Sequence, residues 1–401
     1  MSLLIPIQTP PGPLRANPDI PNAGERGVSQ TTPPSVPSGS DGAHRDRPCL
    51  LSGVRSAWAL VLAGTLAFLF SGCSLSYLLH AAAGQLRIQG RALPVEQALR
   101  GGDLRAEEKE KILLVSRIKA FGESKLGLRA TDNYETVYLG GEPDPVYTVT
   151  AAHRTRLELV TWWFPIVGRM PYLGYFDPGK ARNKKRHLED QGLDVVIWAA
   201  EAYSTLGWFQ DPVHRNLLQK ETVDIAETIL HEMTHVTLYA KGQPAFNETL
   251  ATLVGMTGAL AFLEREFGPE SPEARKARSV LHDERLFSAF IDDLASRLIE
   301  LYNGPFGEEE TLSRREQIYA EEVTRFQNSL DRMETDRFAG FGLHGMNNAY
   351  LISVALYHRH FNLFESVLHA QEGSIQRTLE VFRALSRQDG DLIERTREWL
   401  T

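Results

Sequence analysis

The stretch ILHEMTHVTLYAKGQPAFNETLATLVG begins at Ile229 and sets His231 and His235 four residues apart, with Glu232 beside the first. On a helix this spacing projects both imidazoles from one face, where their nitrogens can share a Zn²⁺ ion. Glu232 then points at the water that would be activated. Apolar Ile225, Ile229, Leu230, Met233 and Val236 supply the helix, and Gly242 stops it. A catalytic zinc site takes three protein ligands and leaves one position open. The KGQP turn at 241–244 breaks the first helix, and the apolar second one carries Glu248 in its first turn. From there its carboxylate can face back toward the histidine pair as the third ligand. Asn247 is expected to cap that second helix or to steady Glu248. The bland alternatives are a buried helix pair that contains histidine by chance, and a helix-start carboxylate favoured by the dipole.

Acyl transfer also needs a donor for the developing oxyanion. Candidates are Tyr350 in HGMNNAYL, His344 just before it and Tyr203 in AYSTLGW. The segment EAYSTLGWFQDP follows the strand-like DVVIWAA. It is expected either to offer an edge strand to an extended peptide or to pack Trp208 and Phe209 into the core. Trp162, Trp163 and the aromatics near Tyr172 read as core.

The chain of 401 residues has a formal charge of −8, with 42% hydrophobic and 23% charged residues. That is globular composition with a sizeable core, and no dense Lys/Arg stripe speaks for nucleic acid. KARNKKRHLED at Lys180 reads as one solvated helix face. The two cysteines, Cys49 and Cys73, make neither a disulfide framework nor a CxxC metal site.

Cys73 closes RSAWALVLAGTLAFLFSGC, an arginine followed by an apolar run from Ala57 to Phe70 and small residues. These are the proportions of a secretory signal, and the run is short of the roughly 20 residues a membrane-crossing helix needs. The sequence thus divides into a leader at 1–53, a signal peptide at 54–72 and one domain at 73–401. The leader is rich in Pro, Gly and Ser and is expected to be disordered, or to precede a true translation start near Val54.

Along the domain, RAEEKEKILLVSRIKAFGESKLGL has helical spacing and a Gly127 stop. YETVYLGG, VYTVTAA and RLELVTWWFPIVG read as strands. YLGYFDPGKARNKKRHLEDQGLDVVIWAA reads as strand, helix, strand, with Asp177 as N-cap, Pro178 at the first helical position and Gly192 closing. From Thr222 onward helices are expected over 222–241, 247–267, 272–302, 309–334, 346–361 and 374–399. The fold class is α+β, a small strand-rich part packed on a mainly helical C-terminal half.

HExxH followed by a glutamate on the next helix resembles the gluzincin metallopeptidases, and NETLA is similar to the NExxA pattern of their aminopeptidase branch. Thermolysin-like members place an Asp four residues after that glutamate, where this chain has Thr252. FSGC resembles the bacterial lipobox, with Phe70 in place of the usual Leu. This resemblance implies lipidation of Cys73 and a mature protein on the periplasmic face of the cell envelope. Ser74 in place of Asp resembles lipoproteins sent on to the outer membrane. AAAGQL, TWWFPIVGRMPYLGYFD, AYSTLGWFQDPV, the zinc-type motif and NNAYL, in this order, resemble a bacterial family of predicted aminopeptidases over most of residues 73–360. No GxMEN-like segment is present to hold a free amino terminus.

The expectation is therefore a lipid-anchored zinc metallopeptidase with a peptide substrate, a membrane attachment through its lipid and no nucleic-acid partner. A catalytically quiet zinc lipoprotein acting as an envelope assembly factor or chaperone is the alternative. A metal-free helical interaction protein is the third.

Overall fold

β-branched and aromatic residues make short strands early in the domain, and amphipathic runs make helices after them. The computed structural model describes residues 5–7, 88–140, 146–164, 168–175, 177–200, 202–204 and 210–401. The signal segment 54–72, Cys73, Trp208 and Phe209 lie outside these residues.

The strands are β1 (Ile5–Ile7), β2 (Leu93–Pro94), β3 (Thr136–Tyr138), β4 (Val146–Ala152), β5 (Trp162–Phe164), β6 (Gly168–Met170), β7 (Tyr172–Tyr175), β8 (Asp194–Ala200), β9 (Ala202–Ser204) and β10 (Val213–His214). The described helices are α1 (Val95–Arg100), α2 (Ala106–Lys125), α3 (Pro178–Glu189), α4 (Thr222–Thr237), α5 (Pro244–Phe267), α6 (Pro272–Tyr302), α7 (Glu308–Gln327), α8 (Asn348–His358), α9 (Phe361–Ala370), α10 (Ile375–Leu385) and α11 (Leu392–Leu400). The fold is α+β, with small sheets before a helical C-terminal half.

Strand β4 lies between β7 and β8, antiparallel to both. Side chains alternate across a strand, so this sheet has two distinct faces. Val149, Ala151 and Val195 pack on one face against Ala181 and Leu188 of α3. Val196 and Trp198 face the other way, into a cluster with Tyr350 and Val354 of α8. Asp177 caps α3 as expected, its Oδ1 accepting from the amides of Gly179 (2.7 Å) and Lys180 (3.1 Å).

Among the described residues two cores fill the helical half. Helices α2, α4, α5, α9, α10 and α11 share one, through residues such as Ile118, Leu230, Leu250, Phe364, Phe382 and Leu392. The other is aromatic and joins α6, α7 and α8, with Phe287 stacked on Phe338 at 3.9 Å between centroids. Helix α5 is long and apolar enough to cross a membrane, yet 78% of its apolar window is buried inside the protein. It is a core helix.

Several boundaries differ from the sequence expectation. Helix α4 ends at Thr237 rather than 241, because Leu238 is extended (φ −148°, ψ 116°) and both backbone groups of Ala240 are taken by a side chain described below. Helix α7 ends at Gln327, and Leu330–Arg332 forms a separate 3₁₀ turn. The span 374–399 is two helices. Gly390, with φ 104°, permits the break, and Asp391 restarts the chain by accepting from the amides of Ile393 and Glu394. Helix α9 has no counterpart among the expected elements.

Candidate metal and catalytic centre

Helices α4 and α5 position the centre, and they pack more extensively on each other than any other pair of elements. At their crossing stands Gly255, where an added Cβ would lie 3.0 Å from the Glu227 carbonyl oxygen and 3.3 Å from the His231 Cβ. Only a glycine lets α5 approach α4 this closely behind the first histidine.

The turn between the helices is held by Asn247. Its Oδ1 accepts from the Ala240 amide and its Nδ2 donates to the Ala240 carbonyl, both at 2.8 Å. Asn247 is thus not the N-cap, a place that Gln243 occupies. It is the clamp that fixes the residue before Glu248.

His231 Nε2 and His235 Nε2 are 3.1 Å apart, and Glu248 Oε2 is 3.4 Å from each. Ligands about 2.0–2.1 Å from one tetrahedral ion are separated by roughly 3.3 Å. The three donor atoms therefore sit at the corners of a face that one such ion would cap. Glu232 offers an oxygen within 4.8 Å of the histidine donors. All four groups are shielded: His231, Glu232 and His235 are buried, and 13% of the Glu248 side chain is exposed. Burial pushes the Glu248 carboxyl upward, but His235 and His231 outweigh it and bring it down to about 2. Burial pushes His235 down, and Glu248, outweighing it, leaves the imidazole raised. His235 Nδ1 and Thr252 Oγ1 are buried without a hydrogen-bond partner. Thr252, at the position where thermolysin-like chains carry an Asp, thus bonds neither histidine.

The centre opens into a cleft enclosing about 650 Å³ of empty space, part of it open to solvent. Thr150, Tyr172 and Arg169 line it from the strands, Tyr239 and Glu248 from the zinc-type helices and their turn, and Ser353 and Tyr357 from α8. Tyr357 stands beside the first histidine. Its ring lies near-parallel to His231, centroids 6.2 Å apart at 24°. Burial first, then the charge of Glu248, drives the Tyr357 hydroxyl well above its ordinary value, so it stays a proton donor. Tyr239 meets His235 edge-on at 6.3 Å, and burial with the Glu248 charge raises its hydroxyl to about 12.

The donors expected from sequence lie elsewhere. The Tyr350 ring packs against Trp198 (5.2 Å) and Phe341 (5.7 Å), and its hydroxyl accepts from the Gly342 amide at 3.4 Å. It is a core residue and is not among the cleft's lining. His344 is exposed on the preceding loop, also outside that lining. Tyr203 falls on β9, which pairs antiparallel with β1, and its side chain is not among those described. Trp163 is not core either, since 65% of it is exposed.

The NNAYL segment is a joint. Asn347 caps α8 by accepting from the Tyr350 amide at 2.8 Å. Asn348 is fully buried: its Oδ1 accepts from the hydroxyls of Tyr302 (2.7 Å) and Tyr319 (2.5 Å), and its Nδ2 donates to the carbonyls of His153, Arg154 and Arg156. At the far end His358 Nδ1 meets Glu284 at 2.8 Å, both side chains fully buried. Consecutive helical residues point about 100° apart, so locking His358 into Glu284 turns Tyr357 toward the cleft. Asn348→Ala is expected to cost about 3 kcal/mol or more of unfolding free energy, since it strands two hydroxyls and three carbonyls. Urea unfolding monitored by far-UV circular dichroism checks this.

A family model described as "Putative aminopeptidase" matches residues 76–398. The chain belongs to this family. No curated protein and no solved structure matches the chain. The family match takes in both histidines, Glu232, Glu248 and Tyr357, and ends within α11.

Proposed function

We propose that the chain is a zinc-dependent peptidase, held by a lipid on Cys73 to the periplasmic face of the outer membrane. The observation that carries the enzymatic part is the triangle of His231, His235 and Glu248 donors at 3.1, 3.4 and 3.4 Å beside the Glu232 carboxylate. Two imidazoles and one carboxylate are the donor set of a hydrolytic zinc site. The signal-like run and the FSGC end support the anchor.

When bound, zinc supplies a Lewis acid for the scissile carbonyl and water of lowered pKa. The chain's own residues do the rest. Glu232 accepts the proton of the attacking water and delivers it to the leaving amine. Tyr357 donates its hydroxyl hydrogen to the carbonyl oxygen as negative charge grows there. Tyr172 and Tyr239 wall the cleft and exclude water around the reacting groups.

The test is hydrolysis of a mixed peptide library by the full-length protein with and without a chelator. Cleavage that disappears with the chelator and returns with about one equivalent of zinc is expected. Cleavage indifferent to chelation, or none in the zinc-supplied protein, would overturn the proposal.

A further inference from the structure

A hairpin at the rim of the cleft carries two side chains for which the hydrolytic machinery has no use. Strands β5 and β6 pair antiparallel with Trp163 opposite Arg169, and directly opposed residues share a face. Arg169 lines the same cleft as Glu248 and Tyr357. Its guanidinium is 3.3 Å from the Thr161 hydroxyl and forms no ion pair among the described residues. Trp163, on the same face, keeps 65% of its surface exposed.

The described lining of the cleft carries one guanidinium and one carboxylate. Among the described lining residues Glu248 is the sole carboxylate, and both histidines already engage it. Among the described lining residues a substrate ammonium finds no carboxylate besides Glu248. A substrate carboxylate finds a guanidinium with several unused donors in fork geometry.

We propose that Arg169 receives the free C-terminal carboxylate of a short peptide, while Trp163 covers its last side chain. This rests on the peptidase reading of the neighbouring centre and names its substrate class: short peptides ending in an apolar residue, not the interior of long chains. Thr161, which already contacts Arg169, holds the guanidinium at the rim.

The test is binding rather than turnover. The full chain carrying Glu232→Gln, supplied with zinc, is titrated calorimetrically with Ala-Ala-Leu, its C-terminal amide and the amide of Ala-Asp-Leu. The free acid is expected to bind about tenfold more tightly than its amide, the size of one charge-assisted hydrogen bond. Adding Arg169→Gln should abolish that difference, and Arg169→Lys should restore part of it. Equal affinity for acid and amide, a difference that survives Arg169→Gln, or no binding of the free acid at millimolar concentration would each overturn the proposal. So would Ala-Asp-Leu amide binding as tightly as the free acid, because Arg169 would then read an acidic side chain. Preferential binding of the free acid by this variant, with no hydrolysis by the parent chain, would sink the peptidase reading and leave this assignment standing.

Discussion

Glu232→Gln is expected to leave the protein folded and its metal affinity nearly unchanged, yet to slow peptide hydrolysis by about a thousandfold. The substitution keeps the size of the side chain and removes only its ability to accept a proton, and general-base catalysis is worth roughly 10²–10⁴ in rate. Glu232 is 3% exposed and lies within 4.8 Å of both histidine donors, so no bulk water replaces it as base. The decisive comparison is kcat against zinc content in the same preparation. A variant that keeps its zinc and its rate would remove Glu232 from the chemistry. One that loses both would make it a structural residue of the helix pair.

Tyr357→Phe should lower kcat by about a hundredfold with little change in KM, the signature of a donor used only as charge develops on the carbonyl oxygen. Tyr357 lines the cleft from α8 with its ring near-parallel to His231, and its hydroxyl, hydrogen-bonded to Glu248, is held protonated by burial and the Glu248 charge. Tyr350→Phe is the matched control, since it removes from the same helix a hydroxyl that accepts from the Gly342 amide and lies outside the described cleft lining. Its kcat should stay within about twofold. If Tyr350→Phe falls and Tyr357→Phe does not, the assignment of the donor is reversed.

These two tyrosines show where the sequence stopped speaking. They lie seven residues apart on α8, and no local pattern tells which one meets the cleft. The answer comes from distant contacts: Glu284, on α6, holds His358, and Asn348 is gripped by Tyr302, Tyr319 and three carbonyls of the loop after β4. NNAYL, whose spelling resembles the family, serves the joint between sheet and helices rather than the cleft. Arg169 was invisible for the same reason, because its place at the rim depends on where a hairpin lands.

Local chemistry was legible. The i, i+4 histidines, the glutamate on the following helix and the Asp177–Pro178 helix start are all settled within a few residues of chain, and the structure places each on the element expected of it. Asn247 shows the boundary between the two kinds of information. Its importance for Glu248 was readable, but its role as a two-bonded clamp on Ala240 was not, and that clamp is why α4 stops early.

The most direct test of the proposed zinc centre is the metal content of purified, zinc-supplied full-length protein beside the same protein carrying Glu248→Ala. One zinc per chain is predicted for the parent, with the variant empty or holding zinc far more weakly after dialysis, because two histidines alone leave the site a ligand short. A well-folded parent that binds no zinc, or a variant that binds it as tightly, would contradict the account.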